Sequence, residues 1–261
     1  MITKFHHYFL LGFSPWPVII RINSFNIFFS VALLIKFNSN QSLMLALAIM
    51  SIVSFSWWIN YKDEFNFEGL NSIDLSKGLK FAIILFISSE VFFFFSFFWS
   101  YFHFFLAPCI ELGIEWPPLD VIIFDYSNVP MINTLILIIS GVTVTTRHIY
   151  LIEGKFSAAS TFLFATIVLG LTFTVLQYIE YESSFFNIRD SRFGTSFFLL
   201  TGFHGIHVIV GTIFLRKVLF ITSGNFLSKT NSLRFELASW YWHFVDVVWI
   251  FLYFFIYYIN M

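Results

Sequence analysis

Apolar residues run along this chain in seven blocks, each closed by prolines, charges or tryptophans. An α-helix needs about 20 apolar residues to cross the hydrocarbon core of a bilayer. The pattern therefore predicts seven transmembrane helices, at about 18–35, 43–59, 79–106, 131–146, 156–178, 193–215 and 235–259. Ser14-Pro15-Trp16-Pro17 keeps the first helix from starting earlier, because proline lacks the amide a helix interior uses. Trp57-Trp58 closes the second span, as aromatic residues do at membrane interfaces. A polar stretch from Asn60 to Lys77 follows, and a Pro-rich acidic loop, Pro108 to Pro130, separates spans three and four. Pro117, Pro118 and Pro130 are expected to stiffen that loop. Gly202, Gly205 and Gly211 are expected to thin one side of span six and admit a neighbouring helix. There is no internal repeat and no soluble stretch of domain size. The expectation is an all-α integral membrane protein forming one domain over 1–261.

Composition agrees. The chain is 58% hydrophobic and only 11% charged, with a mean hydropathy of +0.82, where a soluble domain carries about 25% charged residues. A net charge of −1 without a dense basic cluster gives no footprint for nucleic acid. Cys109 is the sole cysteine, which excludes an intrachain disulfide, a CxxC redox pair and a Cys-ligated zinc or iron–sulfur site. Met1 to Phe13 has neither the Arg-rich amphipathic pattern of a transit peptide nor the apolar segment and cleavage site of a secretory signal.

Charge sets the expected orientation. Seven spans put the N-terminus and the loops after spans two, four and six on one side, with eleven basic residues. These are Lys4, Arg21, Lys62, Lys77, Lys80, Arg147, Lys155, Arg216, Lys217, Lys229 and Arg234; Lys36, Arg189 and Arg192 fall on the other. The positive-inside rule then places the N-terminus in the matrix or cytoplasm.

Against this background Glu90 stands out. It lies in Ser88-Ser89-Glu90-Val91, with no charged residue within nine positions on either side. A charge at the bilayer centre costs roughly 2.5–3.5 kcal/mol on insertion scales, so such a residue is a functional candidate by default. The other membrane-depth polar groups are His204 and His207 in span six, and His243 and Asp246 in span seven, with Glu236 on the same stripe. At about 1.5 Å of rise per residue, Glu90, His207 and Asp246 fall within roughly one turn in depth. The expectation is a buried polar belt joining spans three, six and seven. His103 is about 20 Å along the helix from Glu90 and stays outside it. Three chemical uses remain open on the residues alone. His204 and His207, at i,i+3, could bind one metal ion; His204, His207 or His243 could be an axial haem ligand; and Glu90, His207 and Asp246 could relay protons. No Glu is followed three positions later by His, so the carboxylate-bridged di-iron pattern is missing.

At these residues the chain resembles subunit III of the haem–copper respiratory oxidases, the cytochrome c oxidase branch. The resemblance runs through Ser14-Pro15-Trp16-Pro17, Trp57-Trp58, Ser88-Ser89-Glu90-Val91, Phe97-Phe98-Trp99, Glu111-Leu112-Gly113 and Trp116-Pro117-Pro118. It continues through Asn133-Thr134, Ser140-Gly141-Val142-Thr143, Gly202-Phe203-His204-Gly205-Ile206-His207 and Trp240 to Trp249. It implies a two-helix and a five-helix bundle separated by a V-shaped cleft filled with phospholipid. It implies a subunit without redox centres of its own, with haem a, haem a3 and copper held by partner subunits. Subunit I would be the chief partner among the subunits of complex IV, supported in its stability, its proton uptake and its access to dioxygen. The location implied is the mitochondrial inner membrane, N-terminus in the matrix and C-terminus in the intermembrane space. The carboxylate matching Glu90 reacts with a hydrophobic carbodiimide in the family, which implies a protonated acid in an apolar setting. Trp57, Trp58, Glu64, Lys80, Arg216 and Arg234 are the expected lipid contacts. The chain departs from the family pattern at Thr146-Arg147-His148-Ile149, where Trp-Ala-His-His is usual. It departs again at Ile59-Asn60, where Arg-Asp is usual, and at Asp63, where a basic residue is common.

Overall fold

A computed structural model describes residues 14–67, 73–108, 113–119, 121–223 and 233–260. Seven helices in it are long and apolar enough to span a membrane. They are α1 (Trp16–Phe37), α2 (Gln41–Phe67), α3 (Ile73–Leu106), α4 (Val129–Glu153), α5 (Phe156–Glu182), α6 (Arg192–Ser223) and α7 (Leu233–Leu252). A π-helical segment, Tyr253–Tyr258, continues α7. Among the described residues there is no strand.

The helix boundaries follow from local chemistry. Pro15 and Pro17 flank the start of α1, and Asn38 ends it in the left-handed conformation (φ 51°), its amide bonding to Leu34 O. Pro130 is not a loop stiffener: it is buried in the first turn of α4, where a missing amide does no harm. Gly154 closes α4 at φ 78°, a conformation glycine adopts without a Cβ clash. Hydroxyls inside the helices mostly return their proton to a carbonyl one turn back, as Ser24 does to Ile20 O (2.9 Å) and Ser51 to Leu47 O (2.9 Å). That leaves them free of unmet donors in an apolar medium.

The chain falls into two compact units, residues 1–81 and 82–261. In the first, α1 and α2 pack on one another, with the small residues Ser30 and Ala46 buried. In the second, α4 packs on α5, α5 on α6, α6 on α7 and α7 back on α4. Its core centres on Trp242 and Trp249 of α7, with Phe173, Leu163 and Leu137 beside them. Trp242 fits because two helices present glycine to it. A Cβ on Gly170 would come within 2.7 Å of its ring, and one on Gly211 within 2.8 Å. Of Gly202, Gly205 and Gly211, only Gly211 makes such an approach. A Cβ on Gly202 would meet only the Tyr181 hydroxyl at 3.8 Å, and Gly205 faces open space.

Side-chain hydrogen bonds then lock the ring. Trp242 donates to Ser140 Oγ (2.9 Å), Trp249 to Thr134 Oγ1 (3.0 Å), and Thr143 and Thr166 hydroxyls meet at 2.8 Å. Interhelical bonds of this kind contribute about 0.6 kcal/mol each on average. At the far end, Asn260 gathers the loop and α3. Trp116 Nε1 donates to its Oδ1 (2.9 Å), and its Nδ2 donates to Tyr101 Oη (2.7 Å). Asn260→Ala should loosen this clip by about 1–2 kcal/mol. Limited proteolysis of the membrane-embedded chain should then cut the loop that precedes α4 several times faster.

Candidate functional site

Glu90 sits mid-way along α3, and its partner is on α6. Glu90 Oε2 lies 2.9 Å from His207 Nε2. Side-chain exposure is 21% for Glu90 and 12% for His207, so neither faces open lipid. His207 Nδ1 lies 2.7 Å from Phe203 O. A carbonyl only accepts, so Nδ1 carries a proton. One further proton bridges Nε2 and Oε2. Phe93, Phe94, Tyr241 and Phe244 wall the pair, with the Phe94 and His207 ring centroids 5.0 Å apart and Tyr241 stacked on the imidazole at 6.4 Å. In such surroundings a polar pair that satisfies itself avoids the penalty each member would incur alone. Glu90 and His207 thus tie α3 to α6.

Asp246 lies elsewhere. It shares the depth of Glu90 but turns to the other side of α7, where its Oδ2 is 3.8 Å from His243 Nδ1 and close against Gly141 of α4. Phe244 and Tyr241, which face His207, stand about 200° and 140° round the helix from Asp246. The expected belt is therefore two separate pairs, Glu90–His207 and His243–Asp246, with the body of α7 between them. Depth counting placed the heights; it carried no angle. His204 belongs to neither pair. It is fully buried, its Nε2 donates to Val245 O (3.2 Å), and its ring packs on Phe173 and Trp249. Glu236 lies half-buried in the first turn of α7. His103 is exposed near the end of α3, apart from both pairs.

The expected lipid contacts divide between the units. Trp57 is half-buried and Trp58 exposed on α2, and Lys80 is half-buried on α3, all in the first unit. Arg216 is exposed on α6 and Arg234 half-buried on α7, in the second. Glu64 lies where only the backbone of α2 is described.

The structure also buries polar residues that the sequence pattern does not single out, Glu180, Gln177 and Arg147 among them. Glu180 was placed past the end of span five, yet α5 continues to Glu182 and buries it, with Tyr257 Oη donating to Glu180 Oε1 at 2.7 Å. Its neighbour Gln177, one turn earlier, accepts from Asn133 Nδ2 of α4 at 3.4 Å. The i,i+3 spacing of Gln177 and Glu180 was the available signal. Arg147, one position past the expected end of span four, is buried in α4, its guanidinium 4.2 Å from the Phe235 ring centroid. Burying a charge needs compensation, and an aromatic face supplies part of it.

The family model described as cytochrome c oxidase subunit III matches residues 6–261. The chain is 44% identical over 256 residues to cytochrome c oxidase subunit 3 of Anopheles gambiae, covering 97% of this chain and 96% of that one. The Drosophila melanogaster protein of the same name is 44% identical over 255 residues, with the same coverage. That of Paracentrotus lividus is 42% identical over 259 residues, covering 98% of both. The chain belongs to the cytochrome c oxidase subunit III family. As a member of that family it is a membrane-embedded subunit of a multi-subunit respiratory oxidase. In this chain Glu90–His207 joins α3 to α6, and His243–Asp246 is a partly exposed pair on α7.

Proposed function

We propose that this chain is the non-redox core subunit III of a proton-pumping cytochrome c oxidase, complex IV, in the mitochondrial inner membrane. The full-length family match carries the reading. In it, the haems and copper belong to partner subunits, subunit I is the chief contact, and this chain stabilises that subunit and supports its proton uptake and dioxygen access. Phospholipids fill a cleft between a two-helix and a five-helix bundle. Trp57, Trp58, Glu64, Lys80, Arg216 and Arg234 are the lipid-contact candidates. The N-terminus lies in the matrix and the C-terminus in the intermembrane space. What supports a structural rather than a chemical role for Glu90 is its geometry: its described hydrogen bond runs to His207, one helix away.

The alternative is an autonomous proton or ion conductor using Glu90, His207 and Asp246. Asp246 stands across α7 from the other two, which breaks a hydrogen-bonded relay at its second step. Two measurements separate the readings. The chain should co-purify with haem-bearing subunits, seen by the visible spectrum of the isolated complex. Glu90→Gln, which keeps an acceptor and adds a donor at His207, should leave oxidase turnover within about twofold, since a hydrogen-bonded amide buries much as a neutral acid does. Reconstituted alone, the chain should pass no protons. Proton flux from the isolated chain that Glu90→Gln abolishes would favour the conductor instead.

A further inference from the structure

His243 and Asp246 are polar groups at mid-membrane depth that the bundle does not fully enclose. His243 lies about 15 Å along α7 from its start at Leu233, and Gly141 about 18 Å along α4 from Val129, on helices some 36–39 Å long. Both are thus near the middle of a hydrocarbon core about 30 Å thick. Yet the His243 side chain is 44% exposed. Asp246 is only 9% exposed, and its Oδ1 is buried without a hydrogen-bond partner. The pair sits in a seam that glycine opens. A Cβ on Gly141 would meet Asp246 Oδ2 at 2.8 Å and His243 Nδ1 at 3.8 Å. Thr145, one turn along α4, gives its hydroxyl to Gly141 O (2.6 Å) and does not supply the missing bond. Around this polar centre the exposed side chains are Ile138 and Val142 on α4, Val247 and Ile250 on α7, and Thr145, whose hydroxyl is already bonded to its own helix.

Acyl chains cannot bond to an imidazole or a carboxyl, and headgroups do not reach this depth. The covering surface must therefore be apolar with one hydrogen-bonding group at its centre, which is the chemistry of a transmembrane helix carrying a single polar side chain. We infer that the α4–α7 seam at Gly141, His243 and Asp246 is a docking groove for a transmembrane helix of a neighbouring oxidase subunit, which brings a hydrogen-bonding side chain to the His243–Asp246 pair. The inference rests on the proposed assembly and says which face of this chain takes part.

The test uses the assembled complex. Val247, exposed at the seam, is replaced by cysteine and labelled with a benzophenone maleimide, with the wild-type chain and its Cys109 as the background. On illumination, Val247→Cys should gain a cross-link to another subunit of the complex. Peptide mass spectrometry should place it within one helical turn of a hydroxyl, amide or charged side chain. In parallel, His243→Leu should make the chain roughly threefold easier to strip from the complex in a detergent titration, about the effect of one interhelical bond. Asp246→Asn, which keeps hydrogen-bonding capacity, should change it less than Asp246→Leu. Adducts to lipid alone, a link to a second copy of this chain, or identical detergent profiles for all variants would each overturn the inference. Should the wild-type chain not co-purify with haem-bearing subunits at all, it is the proposed assembly that fails.

Discussion

Trp242→Ala should be the most damaging single substitution in the second unit, lowering its stability by about 3–5 kcal/mol, the range for deleting a large buried aromatic. The ring is fully buried and fills a slot that Gly170 of α5 and Gly211 of α6 leave open. Its indole nitrogen also holds Ser140 of α4. One side chain thus touches every other helix of the α4–α7 ring, and no neighbour can move in to close the void without shifting a helix. Thermal inactivation of the detergent-solubilised complex, together with the steady-state amount of the chain, would register the loss. A drop smaller than about 1 kcal/mol would mean that the glycine slot does not set the packing of these helices.

Glu180→Leu should follow, at about 1–3 kcal/mol, because it strands the buried Tyr257 hydroxyl without its acceptor. The pairing makes a sharper forecast for the double variant. With Tyr257→Phe added, both polar partners are gone, and most of the lost stability should return, since an apolar pair of similar shape leaves nothing unsatisfied. A double-mutant cycle read by thermal inactivation gives the coupling directly. Additive losses would show that Glu180 has another role, independent of Tyr257.

How far the chain could be read in advance follows from what each signal encodes. The number and order of the helices were plain, because apolar runs of bilayer length have few other uses. Their ends were less so. The expected span four ends at Thr146, whereas the helix continues to Glu153 with the Arg147 guanidinium packed on Phe235. The expected span five ends at Tyr178, whereas α5 continues to Glu182 and holds Glu180 inside it. In each case a charged residue just beyond the apolar run stays inside the helix because a tertiary partner, invisible in sequence, accommodates it. The Glu90–His207 contact could be suspected from matching depths. The same arithmetic wrongly drew in Asp246, since height along a helix says nothing of the azimuth at which a neighbour meets it. The glycines show the limit in another form: Gly205 and Gly211 look alike in the sequence, and only the position of Trp242 distinguishes them.

The π-helical turn after α7 carries a consequence of its own. In Tyr253–Tyr258 each turn accommodates one residue more than an α-helix does, as the bond from Ile259 N to Phe254 O shows. The segment acts as a phase shifter in the last helix. Upstream of it, Trp242 and Trp249 are in step with the four-helix ring; downstream, Asn260 is in step with Tyr101 and Trp116. A plain α-helix would leave the two halves about 100° out of register. The chain can therefore exchange many of its lipid-facing residues for other apolar ones here, but losing a single residue would turn the C-terminus away from the loop it holds.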